Sequence, residues 1–376
     1  MTAVKTSTSQ DLVSVIRELG PDMASRAAAH DNEDSFVAEN FTLLRELGFF
    51  AAAVPVELGG GGHRVDVLCD ALRELAHACG STALAASMHT HLVALQAHLW
   101  RGGNMKVEPM LRRVAAERLV LVSTGGSDWL PGSGTLTKTE TGFRMSGRKI
   151  NGSGGPAGDI LMTTGVYDDP AAGPTVIHFP IPLAAEGVKP QNTWHVLGMR
   201  GTGSNDIVLE DVEIPDAATG GVRRPAGKWH PFMHGVALIA LPLMYAPYLG
   251  VAEAARDLAL ASVKKKDDAT AYLVGEMENE LIVAQLAHRS MVALAMTAEA
   301  GPAATHAATA RRTLVARHAI RAVEKAMEVT GGASFFRSVG LERLFRDVQG
   351  ARFHPLQEKP QLRFGGRYLL GLDIDG

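Results

Sequence analysis

The chain changes texture twice along its length, and that order constrains its fold more than any single motif. Residues 1–118 read as helices, 119–228 as short β-prone runs, and 229–376 as helices again. In the first stretch Leu43, Leu44 and Leu47 sit at helical spacing until Gly48 ends the segment. Four glycines at 59–62 predict a flexible turn, and a helix follows over Val65 to Cys79. Another starts at Gly80-Ser81-Thr82, with Ser81 or Thr82 as N-cap, and runs through Met88 to His98. From Arg118 the pattern shortens: Leu119 to Val122, Phe143 to Lys149, Asp159 to Val166, Thr175 to Ile181 and Asp206 to Ile214, with Gly, Pro and Asp clusters between them. This predicts a small antiparallel barrel or sandwich. Helical periodicity resumes near Gly235, where Val251, Ala255, Leu258 and Ser262 share one face, and Val315, Ala319, Val323 and Met327 another. Such long, Ala-rich segments predict an antiparallel bundle. The reading is an α+β, mainly α fold: an N-terminal helical domain, a central antiparallel β-domain and a C-terminal four-helix bundle.

Composition narrows the function. At 376 residues, 20% charged and 46% hydrophobic, the chain can bury a large core. A net charge of −3 argues against a phosphate-tracking nucleic-acid surface. Cys69 and Cys79 are ten residues apart, about 15 Å on a helix, too far to bridge, which predicts buried reduced thiols. Met1 to Gln10 is polar and unlike a signal peptide. Val236 to Pro247 is apolar but short and broken by Pro242. A cytoplasmic location, no membrane and no nucleic-acid partner are the expectations. Gly152, Gly154 and Ala157 formally satisfy a Gly-x-Gly-x-x-Ala fingerprint, but Pro156 and a following strand replace the helix it requires.

Four motifs carry a family resemblance. The first is Val122-Ser123-Thr124-Gly125-Gly126-Ser127-Asp128, and the second is Gly147-Arg148-Lys149-Ile150-Asn151-Gly152-Ser153. The third is Leu197-Gly198-Met199-Arg200-Gly201-Thr202, leading to Val212-Glu213-Ile214-Pro215; the fourth, Thr330-Gly331-Gly332, precedes Arg346-Asp347. Together they resemble the acyl-CoA dehydrogenase family over nearly the whole chain. The resemblance implies a flavin, FAD with FMN as the alternative, lying between the β-domain and the bundle. Ser123, Thr124 and Ser127 would line the flavin pyrimidine. Asn151 stands where the family has a tryptophan over one flavin face, and Ser153 where a threonine hydroxyl meets the reactive ring nitrogen. Gly331 and Gly332 would meet the cofactor of a neighbouring subunit in a homotetramer.

The departures carry as much information. The family's catalytic glutamate falls roughly nine residues after the Arg-Asp arginine, and here that position is Pro355, with His354 before it and Glu358 three residues beyond. Val236 to Leu249, which carries the base in some relatives, contains no acid. Lys264-Lys265-Lys266 replaces an Arg-x-x-Phe-Gly segment and reads as a solvated loop. His89, Ser153 and His354 instead fall where flavin monooxygenases resembling dibenzothiophene monooxygenase place polar groups. His89 and His91, at i and i+2, make a poor metal pair, and no metal is expected.

Two chemistries therefore follow from the resemblance. One is oxidation of a CH–CH bond in an acyl thioester, with Glu358 or His354 as candidate base and an electron-transferring flavoprotein as partner. The other is O2-dependent monooxygenation of a small aromatic or amine substrate, with His354 and His89 as proton donors and a flavin reductase as partner. A catalytically silent family subunit is the third alternative.

Overall fold

A computed structural model describes residues 9–124 and 126–376, for residues 9–11 and 127 the backbone only. Five α-helices open the chain: α1 (Ser9–Glu33), α2 (Ala38–Glu46), α3 (Val65–Ala78), α4 (Gly80–Arg101) and α5 (Glu108–Glu117). Gly48 ends α2 by turning left-handed at φ 76°. The 59–62 glycine run is packed, contrary to the expected flexible turn: Gly60, Gly61 and Gly62 donate their N–H groups to Pro55, Ala51 and Val54 carbonyls. A Cβ on Gly60 would stand 2.3 Å from that of Val54. Helix α4 starts at Gly80 with Cys79 in the cap position, so the hydroxyls expected to cap it are used elsewhere. Ser81 Oγ accepts from Gly201 N at 3.2 Å, and Thr82 Oγ1 accepts from the Asn40 amide at 2.8 Å. Ser81 to His91 is buried on every side, which makes α4 the central rod of this layer.

The sheet comprises β1 (Leu121–Ser123), β2 (Thr135–Lys138), β3 (Gly142–Lys149), β4 (Ile160–Asp169), β5 (Gly173–Pro182), β6 (Val188–Pro190), β7 (Ile207–Pro215) and β8 (Arg223–Pro225). Its order is β6-β7-β3-β2-β4-β5-β8, with β1 also on β4. It is mixed where the sequence suggested antiparallel pairing throughout: β1 and β2 both run parallel to β4. The reason is that one edge of β4 is shared in succession. Residues 121–123 pair with 160–162, the chain then loops out, and it returns to pair Thr135 and Leu136 with Val166 and Tyr167. No strand covers Thr163–Gly165 on that edge among the described residues, and this break opens the site.

The last layer is α6 (Pro231–Ser262), α7 (Asp268–Thr297), α8 (Pro302–Thr330), α9 (Leu341–Val348) and α10 (Glu358–Leu369). Pro242 and Pro247 do not break α6, which runs 32 residues. Packing on both sides outweighs the lost amide bonds, and the Pro242 carbonyl accepts from His288 Nε2 at 2.9 Å. By length and hydropathy α6 could cross a membrane, but 89% of its apolar window is buried inside the fold. Cys69 and Cys79 are free and buried. One core cluster joins the helical layers, and a second fills the inner face of the sheet.

Candidate active site

A cavity of about 1320 Å³ lies between the broken edge of the sheet, α4, α6 and the loop after α9. Its floor is fixed by Lys149, at the end of β3 with a fully buried side chain. Its three ammonium N–H groups are shared among Asp128 Oδ2 at 2.9 Å, Ser133 O at 2.7 Å, Ser133 Oγ at 2.9 Å and Thr164 O at 2.6 Å. It ties the looped-out residues 126–134 to the β4 carbonyl that no strand neighbour takes. Burial lowers the lysine pKa, and the Asp128 charge works against that shift.

Beside it the 151–155 turn places Asn151 and Ser153 in the cavity wall. Asn151 is left-handed at φ 58°, a conformation asparagine tolerates better than bulkier residues. Ser153 begins a hydroxyl chain: Ser153 to Ser204 at 2.7 Å, Ser204 to Thr202 at 2.7 Å, and Thr202 to the Met199 carbonyl at 2.9 Å. That carbonyl can only accept, so Thr202 donates to it. Ser204 then donates to Thr202, and Ser153 to Ser204. Ser153 Oγ is left with lone pairs for a ligand N–H.

The 197–203 loop and the Arg346-Asp347 dipeptide form one joint. Arg346 Nη1 donates to Leu197 O at 3.0 Å, and the buried Asp347 carboxylate accepts from Met199 N. Gly198 lies so close that a Cβ there would stand 2.2 Å from Arg346 O. Burial raises the Asp347 pKa to about 6.

The loop beyond this joint is held by Arg312, buried on α8. The two N–H groups of its Nη2 are shared among the carbonyls of Ala351 (3.0 Å), Arg352 (3.3 Å) and His354 (2.8 Å), and its guanidinium lies 5.0 Å from the Tyr245 ring centre. His354 faces the cavity, half-buried, with Nε2 2.6 Å from the hydroxyl of the fully buried Tyr248. Burial, and then the Arg312 charge, push His354 down to about 3, so it is neutral at neutral pH.

The two α4 histidines divide their work. His89 Nε2 donates to Phe50 O at 2.7 Å and its Nδ1 accepts from Leu121 N at 2.8 Å, so both ring nitrogens are spent on backbone. It pins β1 to α4 and does not line the cavity. His91, which the sequence reading passed over, does line it. Its Nδ1 donates to Ser87 O at 3.2 Å, so Nε2 keeps a lone pair. Burial lowers its pKa to about 4.

The structure brings Ser123, Thr124, Asn151, Ser153 and His354 to one cavity. It leaves out three other candidates. Glu358 starts α10 in a separate small cleft, paired with Arg317 Nε at 3.0 Å. The pairing holds its carboxyl below the usual range. Gly331 and Gly332 stand exposed at the end of α8, away from the cavity. The side chain of Ser127 lies outside the described residues. Tyr248 and Arg312 gave no sequence signal, since each sits in an ordinary helical pattern.

The wall fits a flat heteroaromatic ligand rich in acceptors. Thr163 Oγ1, Thr164 Oγ1 and Trp129 Nε1 are buried without a partner among the described residues, and all three residues line the cavity. An orphaned buried polar group costs about 1–3 kcal/mol, so these groups match a bound molecule that completes their hydrogen bonds. Thr163, with Ser153 and Asn151, offers hydroxyl and amide contacts of the type a flavin ring system takes.

Comparison with known proteins agrees with this geometry. The models for the acyl-CoA dehydrogenase N-terminal domain and C-terminal domain match residues 6–116 and 243–358. The amino sugar nitrososynthase DnmZ of Streptomyces peucetius is 27% identical over 378 residues, covering 93% of this chain and 91% of that protein. Cyclohex-1-ene-1-carbonyl-CoA dehydrogenase of Syntrophus aciditrophicus (strain SB) is 23% identical over 377 residues, covering 96% and 89%. A structure of KijD3 in complex with FMN and dTDP-3-amino-2,3,6-trideoxy-4-keto-3-methyl-D-glucose superposes with a TM-score of 0.90 at 28% identity, covering 99% of this chain and 96% of that one. Both halves of the family signature are matched in order across more than half the chain, and the chain belongs to the acyl-CoA dehydrogenase family of flavin-dependent oxidoreductases.

Proposed function

We propose that this protein is a flavin-dependent monooxygenase that oxygenates an amine nitrogen on a small, sugar-like substrate. One observation carries the choice over acyl thioester dehydrogenation. The sole carboxylate lining the cavity among the described residues is Asp128, and its Oδ2 is held by Lys149. Dehydrogenation needs a free base for the α-proton; without one the barrier rises by roughly 3–5 kcal/mol, taking general-base catalysis as ~10²–10⁴-fold. The uncharged polar groups His91, His354 and Ser153 line the cavity along with Asp128. Full-length similarity to an amino sugar nitrososynthase and to KijD3, whose structure holds FMN and an amino sugar nucleotide, supports the amine as substrate class.

Ser123, Thr124, Asn151 and Ser153 would hold the flavin, which supplies two electrons when bound in its reduced form. The lone pair on Ser153 Oγ suits a ring N–H. His91 Nε2 can accept an amine N–H. With the Tyr248 hydroxyl donating to its Nε2, the neutral His354 ring carries its proton on Nδ1 and can donate it in the cavity. Amine, dioxygen, two electrons and two protons then give a hydroxylamine and water. A flavin reductase is the expected electron source. FAD or FMN would serve, and Gly331 and Gly332 would meet a neighbour's cofactor in a homotetramer.

The test is aerobic turnover with FMN, a reductase and an amino sugar nucleotide, following ¹⁸O from O2 into product by mass spectrometry. Labelled hydroxylamine is the expected result. Bleaching of bound flavin by acyl-CoA without oxygen would overturn the reading in favour of dehydrogenation.

A further inference from the structure

One wall of the cavity carries donors for which the reaction above has no use. Thr164 on β4 and His178 on β5 are direct cross-strand partners, and both line the cavity. Arg224, on the neighbouring β8 and 1% exposed, reaches across behind them. Its Nε donates to His178 Nε2 at 3.1 Å and its Nη2 to Trp129 O at 2.6 Å. A guanidinium cannot accept a hydrogen bond, so Nε2 holds the lone pair and the ring proton sits on Nδ1. Burial, and then the Arg224 charge, depress His178 to about 3, so the ring is a neutral donor of fixed tautomer. Nδ1 has no partner among the described residues. Neither has Trp129 Nε1, carried by the same guanidinium contact, nor Thr164 Oγ1.

The charge behind these donors is positive. Arg224 and Lys149 are both buried in this wall, and the one carboxylate with them is Asp128. Arg224 is bonded to two backbone carbonyls and an imidazole, with no acid at all. Three donors backed by a net positive charge suit a ligand with several acceptor oxygens, whereas a lone carbonyl would satisfy one or two of them.

We propose that His178 Nδ1, Trp129 Nε1 and Thr164 Oγ1 form a phosphoryl-binding niche in this cavity. The phosphoryl group can come from the flavin or from a nucleotide-linked substrate. The inference rests on the reading above only in taking the cavity as the site of those two ligands.

Calorimetric titration of FMN, riboflavin and inorganic pyrophosphate tests it, on wild type, His178→Ala, Thr164→Val and Trp129→Phe. If the flavin phosphate occupies the niche, wild type prefers FMN to riboflavin. Each variant then weakens FMN about 10–100-fold and leaves riboflavin unchanged. If the substrate's phosphate occupies it, FMN and riboflavin bind alike throughout. Pyrophosphate then binds the FMN-loaded wild type and is lost by the same factor in each variant. Thr164→Val keeps side-chain shape, so it stands should His178→Ala fail to fold. The ¹⁵N resonance of His178 Nδ1 should also move when pyrophosphate is added to wild type. Variants that change neither the FMN preference nor pyrophosphate binding, with no movement of that resonance, would overturn the niche. A wild type that binds neither flavin but still binds pyrophosphate would sink the flavin reading and keep the niche.

Discussion

Replacing His354 by alanine separates the two chemistries. The hydroxyl of Tyr248 is fully buried and its hydrogen-bond partner is His354 Nε2 at 2.6 Å. Truncation strands that hydroxyl, at a cost of about 1–3 kcal/mol in stability. The loop itself should stay in place, because Arg312 holds it through backbone carbonyls, that of His354 included. The catalytic effect should be larger: a positioned proton donor contributes about 10²–10⁴-fold. Coupled product formation should fall by that order while reduced-flavin oxidation continues and releases hydrogen peroxide. Glu358→Gln is the matched control. Its partner Arg317 has a side chain 51% exposed and its own is 36% exposed, so the pair is worth about 0–1 kcal/mol. The cavity does not include it, and its loss should leave turnover unchanged. Peroxide and product are quantified together, with urea unfolding of both variants alongside. A His354→Ala protein that couples normally, or a Glu358→Gln protein that loses anaerobic reduction by acyl-CoA, would refute the reasoning.

Three other outcomes are expected. Lys149→Met should lower stability by about 3–5 kcal/mol in urea unfolding, since it leaves the Asp128 carboxylate buried without its cation; adding Asp128→Asn should recover part of the loss. Stability should be full above about pH 6.5 and fall towards pH 4. Burial holds His89, His91 and His288 down to about 4, so the unfolded chain takes up protons there that the fold refuses. Asp347, raised to about 6, binds its proton in the fold and opposes this trend, but it is one group against several; urea midpoints at pH 7.5 and 5 measure the balance. Light scattering should find more than one copy per particle. Tyr272 and Leu286 on α7 and Phe335 and Phe336 beyond α8 are 77%, 55%, 84% and 65% exposed, and a monomer that still holds FAD tightly would contradict the assembly.

What could be read in the sequence was what periodicity and glycine chemistry control. The α, β, α order, the stop at Gly48 and the helix from Val65 follow from local pattern. What escaped depended on three-dimensional partners. The parallel pairing of β1 and β2 with β4 is set by the chain looping out between them, which no alternation of side chains announces. Pro242 looked like a break because the packing that keeps α6 continuous comes from α3, α4 and α8. His89 and His91 are indistinguishable by residue type. Only the carbonyl of Phe50 and the amide of Leu121, distant in sequence, show that His89 is fully spent while His91 keeps a free nitrogen. The missing acid at Pro355 was visible from spacing, but the direction of Glu358 was not, because Arg317 on α8 draws it outward.

Those partners share a physical theme. The buried cations around the cavity are compensated mainly by backbone carbonyls: Arg312 by 351, 352 and 354, Arg224 by 129 and 130, and Lys149 by 133 and 164 together with one carboxylate. Carbonyl dipoles hold a cation without cancelling its charge, so the cavity wall stays electropositive at short range, where low dielectric strengthens it. Burial first, and then this positive charge, keeps His178 and His354 neutral, which fixes them as oriented hydrogen-bonding groups. The charge also favours ligands that carry or develop negative charge on oxygen. The wall that ties its lining carboxylate, Asp128, to Lys149 therefore suits phosphoryl binding and oxygen chemistry, and both proposals depend on this one arrangement of charge.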